Sequence, residues 1–101
     1  MMPIKFLEAA EDDLSDAVAF YNFSQENLGY EFLDEFRRAL KRIMDFPDAW
    51  PMLSKQTRRC LMNRFPYGII YRMNADVLLI ISIMHLHAEP DAWKKRLSKR
   101  D

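Results

Sequence analysis

Two histidines and a group of arginines in the C-terminal half of the chain have the clearest chemical potential. His85 and His87 are two residues apart at the end of an apolar segment, so they point the same way if that segment continues as a strand. An imidazole could act as a general base on a ribose hydroxyl, or it could be a structural hydrogen-bond partner. No metal is expected, because a site needs at least one further ligand and Cys60 is the only other histidine or cysteine.

The two halves of the chain carry opposite charge, although the formal net charge is zero. Residues 1–48 hold eleven acidic and five basic residues, a balance of −6, and residues 49–101 hold four acidic and ten basic residues, a balance of +6. Between Ala49 and Ala75 there is no carboxylate, and the cations there are Lys55, Arg58, Arg59, Arg64 and Arg72. These residues form either an anion-binding surface or the solvated charges of strand edges.

Several classes of function find no support in the sequence. The chain contains no glycine-rich phosphate loop, no serine nucleophile elbow and no HExxH motif, so no cofactor and no small-molecule substrate are expected. The longest apolar run, residues 77–84, is far shorter than the roughly 20 residues of a membrane-spanning helix. Residues 1–101 are therefore expected to form one cytoplasmic domain without a disulfide, because Cys60 is the single cysteine.

The pattern of apolar residues predicts an α+β domain in which a helical hairpin packs on a curved, mostly antiparallel four-stranded sheet. Gly29 is expected to take the open or left-handed conformation that ends the first helix. The carboxylates at the start of that helix, Asp13 among them, are interpreted as compensation of the helix dipole. The β-α-α-β-β-β(-α) order has strands at 3–7, 58–65, 67–73 and 77–84, helices at 8–27 and 30–44, and a helical turn at 90–97 with Trp93 facing the sheet. The second helix is predicted to carry one apolar stripe, formed by Phe32, Leu33, Phe36, Ala39, Leu40 and Ile43.

Alternation along the strands assigns side chains to the two faces of the sheet. Tyr67, Ile69, Tyr71 and Met73 are predicted to face the helices, which leaves Arg72 on the opposite, open face. In the strand at 58–65, alternation leaves two possibilities open. The face shared with Arg72 displays either Arg58 and Arg64 or Arg59. An open face with several arginines and an aromatic side chain could bind phosphates and stack bases, or the arginines could simply keep it solvated.

Five blocks of the sequence together resemble the RelE/ParE toxin superfamily, and within it the ParE-like, or plasmid-stabilisation, branch. The most specific feature is the FPY sequence at 65–67, followed by a second tyrosine, Tyr71, four residues after Tyr67. The blocks are FLEAAEDDLSDAVAFY at 6–21, LGYEFLDEF at 28–36, ALKRIMDFP at 39–47, RRCLMNRFPYGIIYRM at 58–73 and IMHLHAEPDAW at 83–93.

This resemblance implies the toxin half of a toxin–antitoxin pair, held inactive by a small antitoxin whose C-terminal segment wraps the toxin. ParE-like members are described as poisoning DNA gyrase without a nuclease site. RelE-like and HigB-like members cut messenger RNA on the ribosome with a cluster of Arg, Lys, Tyr or His side chains on the sheet. Because of its charge, the basic half is expected to be covered by acidic and apolar segments of the antitoxin.

One departure from the family pattern bears on the choice between these activities. The closing motif usually carries an arginine where HLHAEP has Ala88, so a cation that could neutralise a scissile phosphate is missing. The gyrase mechanism is therefore preferred, with a ribosome-dependent endoribonuclease or an inactive remnant as alternatives. Candidate catalytic residues for a nuclease are Arg72, His85, His87 and Tyr71, and candidates for target or antitoxin binding are Arg58, Arg59, Arg64, Arg72 and Trp93.

Overall fold

The computed structural model describes residues 2–97. It confirms the α+β class and the predicted order of elements, with a helical hairpin on one four-stranded sheet. The elements are β1 (Ile4–Phe6), α1 (Glu8–Ser24), α2 (Leu28–Asp45), β2 (Arg58–Leu61), β3 (Tyr67–Asn74), β4 (Val77–His85) and a 3₁₀ helix (Ala92–Arg96). The strand order is β1-β4-β3-β2; β1 is parallel to β4, and the other pairs are antiparallel. Within the described residues, no helix is both long and apolar enough to span a membrane.

The two helices meet at Gly29, but for a different reason from the one predicted. The left-handed residue of the connection is Asn27, with φ 68°, and Gly29 lies inside the first turn of α2. A Cβ atom on Gly29 would be 2.1 Å from the carbonyl oxygen of Val18, so only glycine permits this close crossing. The Gly29 N–H donates to Oδ1 of Asn22 at 2.7 Å. The prediction that Gly29 ends α1 was wrong, because close helix contact and not chain reversal requires it.

The helix-facing side of the sheet holds the main core. The apolar stripe predicted for α2 is confirmed, since Phe32, Phe36, Ala39 and Ile43 are buried there. They pack with Ile69 and Tyr71 of β3, so the predicted parity of β3 is also confirmed. Burying one such large side chain contributes about 1.5–3 kcal/mol relative to leaving it in water, which makes this side the principal source of stability.

The opposite face of the sheet is covered, and the prediction of an open face was wrong. Ile70, Ile81 and Met84 are buried against Trp93 of the 3₁₀ helix, with Leu53 and Leu97 packed around them. β4 is apolar on both faces, and a strand of that kind needs cover on both. The segment after β4 therefore folds back over the sheet.

Asp13 and Arg96 form hydrogen bonds with the backbone of β4 beyond the part that pairs with the short strand β1. β1 pairs only with Leu78–Ile80, which leaves the backbone of the following residues without a strand beside it. There the Ile83 N–H donates to Oδ2 of Asp13 at 3.0 Å, and Nη1 of Arg96 donates to the Ile81 carbonyl at 2.9 Å. The two side chains also bind each other at 2.6 and 3.0 Å. The dipole interpretation of Asp13 was therefore wrong, because this carboxylate caps the strand edge.

Candidate functional site

The register of β2 on β3 decides which arginines share a face. Arg58 pairs with Tyr71 and Arg59 pairs with Ile70, so Arg58 lies on the helix-facing side and Arg59 on the side of Arg72. Arg58 is held by the loop before β2, since its Nη1 donates to the Trp50 carbonyl at 2.8 Å. The sheet thus separates two arginines that are adjacent in the sequence.

Arg64 lies outside the sheet. β2 ends at Leu61, short of the predicted residue 65, and Arg64 is in the following loop with φ 69°. Its Nη2 is 2.8 Å from Oε1 of Glu31 on α2, and this hydrogen bond raises the pKa of the guanidinium. The prediction of a strand as far as residue 65 was therefore wrong, and the alternative in which Arg64 shares a strand face with Arg72 fails because the chain leaves the sheet before reaching it.

A basic cleft surrounds Arg72 at the end of β3. It consists of two adjoining depressions of about 470 and 400 Å³ that share Lys55, Gln56 and Arg72. The larger one is walled by Trp93 and adds Lys94, which is 3.3 Å from its neighbour Asp91. The smaller one adds Arg58 and one carboxylate, Asp48, at 4.0 Å from that arginine. Among residues 2–97, four cations and one carboxylate line the basic cleft, which makes it attractive to anionic groups.

The two histidines lie at the other end of β3. His85 pairs with Tyr67, five residues along β3 from Arg72, which corresponds to roughly 17 Å of strand. Because five is an odd number of steps, His85 and Arg72 also lie on opposite faces. The Nδ1 atom of His85 accepts the backbone N–H of His87 at 3.0 Å, the structural hydrogen bond considered as the alternative to catalysis. His85 and Arg72 cannot act together on one phosphate group in this arrangement.

Tyr71 is fully buried in the helix-facing core. Its hydroxyl donates to the Pro47 carbonyl at 2.6 Å, which ties β3 to the loop after α2. Burial raises the pKa of this phenol to about 12. Tyr71 borders the smaller depression of the basic cleft, but its hydroxyl is engaged in the fold.

Replacing Tyr71 with Phe is expected to lower the free energy of unfolding at pH 7 by roughly 1–2 kcal/mol, because the Pro47 carbonyl loses its donor. The effect should shrink above pH 10. The unfolded tyrosine ionises near pH 10 and the folded one near pH 12, so the wild-type protein loses stability through this window. Urea denaturation of both proteins from pH 7 to 11.5 tests this; an unchanged difference would contradict it.

The remaining candidates are placed as follows. Trp93 is buried in the second face of the sheet, so its predicted position against the sheet is confirmed while a direct contact with a partner stays a prediction. Ala88 is exposed in the turn after β4. Cys60 is buried, and burial raises the pKa of its thiol. Among residues 2–97 no group of three His, Cys, Asp or Glu side chains is arranged to hold a metal ion.

The sequence did not identify the contribution of Lys55 and Lys94 to the basic cleft, nor the pairing of Asp13 with Arg96. All four residues depend on how the loop before β2 and the segment after β4 fold over the sheet. Their one visible signal was the two-sided apolar pattern of β4, which demands a cover.

Comparison with known proteins identifies the family. The model of the family described as ParE toxin of type II toxin-antitoxin system, parDE, matches residues 4–89. The chain belongs to the ParE toxin family. This confirms the resemblance of the five sequence blocks, and it makes the chain a ParE-type toxin of the type II toxin–antitoxin class.

Two kinds of ParE relative agree with this assignment. Toxin ParE2 from two strains of Mycobacterium tuberculosis, CDC 1551 / Oshkosh and ATCC 25618 / H37Rv, is 29% identical over 91 residues, covering 89% of this chain and 87% of the relative. A solved structure described as the chromosomal ParDE TA system from P. aeruginosa superposes with a TM-score of 0.74 at 16% identity. It covers 86% of this chain and 98% of the other, and it shows the shared ParE fold.

Proposed function

We propose that this ParE-family chain stops growth by binding and poisoning DNA gyrase and that a cognate antitoxin neutralises it. The observation that carries the choice of mechanism is the separation of His85 from Arg72 along and across β3. An RNA-cleaving site needs a proton-transferring group and a charge-stabilising group within reach of the same scissile phosphate. An inhibitor that acts by binding has no such requirement.

The other nuclease candidates support the same choice. The Tyr71 hydroxyl is buried and bonded to a backbone carbonyl. Ala88 occupies the position where the family pattern usually has an arginine. The position is exposed, but alanine supplies no cation there. Although Tyr71 borders the smaller depression beside Arg72, its hydroxyl already donates to the Pro47 carbonyl, so it is poorly placed to transfer a proton to a phosphate there. A toxin that works through surface contacts is the simpler account of these placements, and gyrase would place its action in the cytoplasm.

The basic cleft is the surface best suited to the antitoxin. It combines four cations with apolar walls formed by Trp93 and Leu97. An acidic segment with apolar side chains complements both features, and charge complementarity also speeds the encounter of two such proteins. Contact with the antitoxin is therefore assigned to the four cations of the basic cleft, Lys55, Arg58, Arg72 and Lys94. Arg59 lines a separate depression beside β2.

Two assays on the purified chain test this function. The chain should inhibit supercoiling by gyrase and should leave ribosome-bound messenger RNA intact. A variant carrying both His85→Gln and His87→Gln should inhibit gyrase within about twofold of the wild type, because inhibition by binding needs no proton-transferring side chain. Co-expression with a small acidic protein encoded by a neighbouring reading frame should restore growth.

The opposite pattern would assign the alternative activity. Cleavage of messenger RNA by the wild type, abolished in the double histidine variant, would establish a nuclease and overturn the gyrase proposal. If the chain neither inhibits gyrase nor cleaves RNA, and its expression is harmless, the toxin function itself fails and an inactive remnant remains.

A further inference from the structure

The outer side of α1 carries an exposed surface that neither the core nor the basic cleft uses. Asp12, Asp16, Phe20 and Phe23 are spaced by four, four and three residues, so they lie within about 80° on one side of the helix. All four are exposed, and Phe23 and Phe20 keep 92% and 60% of their surface accessible. These four residues are called the acidic–aromatic face.

This arrangement is unusual for an outward side of a helix. α1 contains five carboxylates and no lysine or arginine. Arg96 binds Asp13, which lies outside the acidic–aromatic face, and acts on Asp12 only through space. Single exposed apolar side chains are common, but here a nearly uncovered Phe23 and a mostly exposed Phe20 lie about one turn apart and form an apolar patch beside the acids. The face extends over roughly 17 Å of helix, from Asp12 to Phe23, which is enough to seat three turns of a partner helix.

We propose that the acidic–aromatic face docks the target protein, through a target segment that presents lysine or arginine side chains next to apolar ones. This inference rests on the proposed function, and it specifies the surface at which the toxin contacts its target. The carboxylates would pair with the cations of the segment, and burial of Phe20 and Phe23 would supply the apolar contact typical of interface anchors. An acidic antitoxin segment is repelled by the same carboxylates, which leaves it to the basic cleft on another side of the protein.

The test compares variants of the complete chain in two readouts, growth arrest in cells and inhibition of supercoiling by purified gyrase. Phe20→Ser with Phe23→Ser should weaken both effects at least tenfold, which corresponds to about 1.4 kcal/mol of binding free energy. Asp12→Lys with Asp16→Lys should do the same by reversing the charge. Phe46→Ser is the matched control, because Phe46 is 65% exposed at the end of α2 and should leave both effects unchanged.

Folding and antitoxin binding of each variant are measured in parallel, by denaturation and by affinity for the co-expressed antitoxin. Unchanged stability and unchanged antitoxin affinity together with reduced toxicity support the docking face. Equal toxicity of the wild type and both double variants overturns it, as does a loss of antitoxin binding. A wild type that arrests growth without inhibiting gyrase refutes the choice of gyrase alone, since growth arrest still reports on the face. A wild type inactive in both readouts refutes both proposals.

Discussion

Replacing Gly29 with Ala is expected to lower the free energy of unfolding by about 3 kcal/mol or more. The new methyl carbon would be 2.1 Å from the Val18 carbonyl oxygen and 2.7 Å from Cγ of Asn22. The first of these atoms belongs to the backbone of α1, so relief requires the two helices to move apart. That movement would loosen the packing of Phe32 and its neighbours on the sheet, which is the usual route by which overpacking destabilises a core.

Gly68→Ala provides a matched control on the second glycine of the chain. A methyl group there would be 2.9 Å from Cγ and Cδ of Arg59, which belong to a flexible side chain that can turn away. We expect a change of less than about 1 kcal/mol in urea denaturation of this variant. Equal losses in the two glycine variants would show that the helix crossing is more adaptable than its contacts indicate.

Replacing Asp13 with Asn is expected to cost roughly 2–3 kcal/mol. The carboxylate accepts hydrogen bonds from Arg96, the Ile83 N–H and the Ser82 hydroxyl, and the side chains of Asp13 and Arg96 are only 21% and 26% exposed. The variant leaves the arginine charge without its counter-ion in a partly dry site. Breaking a fully buried pair costs about 3–5 kcal/mol, and partial exposure reduces that figure.

The part of the sheet that Asp13→Asn destabilises distinguishes the Asp13–Arg96 pair from an ordinary surface ion pair. Hydrogen exchange at the Ile83 amide should become faster than at other β4 amides, because its acceptor is weakened. Arg37→Ala is the control, since its contact with Asp34 at 3.4 Å is well exposed and should contribute at most about 0.5 kcal/mol. Additive effects of Asp13→Asn and Arg96→Met in a double-mutant cycle would contradict the direct coupling.

The parts of the fold that follow from short sequence patterns were predictable. The periodicity of α2 and the parity of β3 each depend on side chains a few residues apart, and both were confirmed. The cover on the second face of the sheet was not predictable in the same way. The two-sided apolar pattern of β4 indicated that a cover is needed, but the cover is anchored by Asp13 meeting Arg96, two residues 83 positions apart, and no local pattern contains that pairing.

The candidate site shows the same limit. Alternation placed Arg72 correctly on the face away from the helices, because β3 is regular in that region. Arg64 could not be placed, since nothing in the sequence marked the early end of β2 at Leu61. The distance between His85 and Arg72 required the register of β4 on β3, which includes an irregularity between Ile70 and Tyr71.

The short β1 strand has a consequence for the order in which this toxin can form during synthesis. Ile4–Phe6 has no partner until Leu78–Ile80 has been made, and Asp13 has none until Arg96 follows. The N-terminal strand and the start of α1 therefore cannot make their native contacts until β4 and the 3₁₀ helix have been synthesised. Contacts between residues far apart in the sequence slow folding. During synthesis the sheet cannot close on β1 until β4 has been made. An antitoxin of the kind proposed above would therefore meet a nascent chain whose first strand is still unpaired.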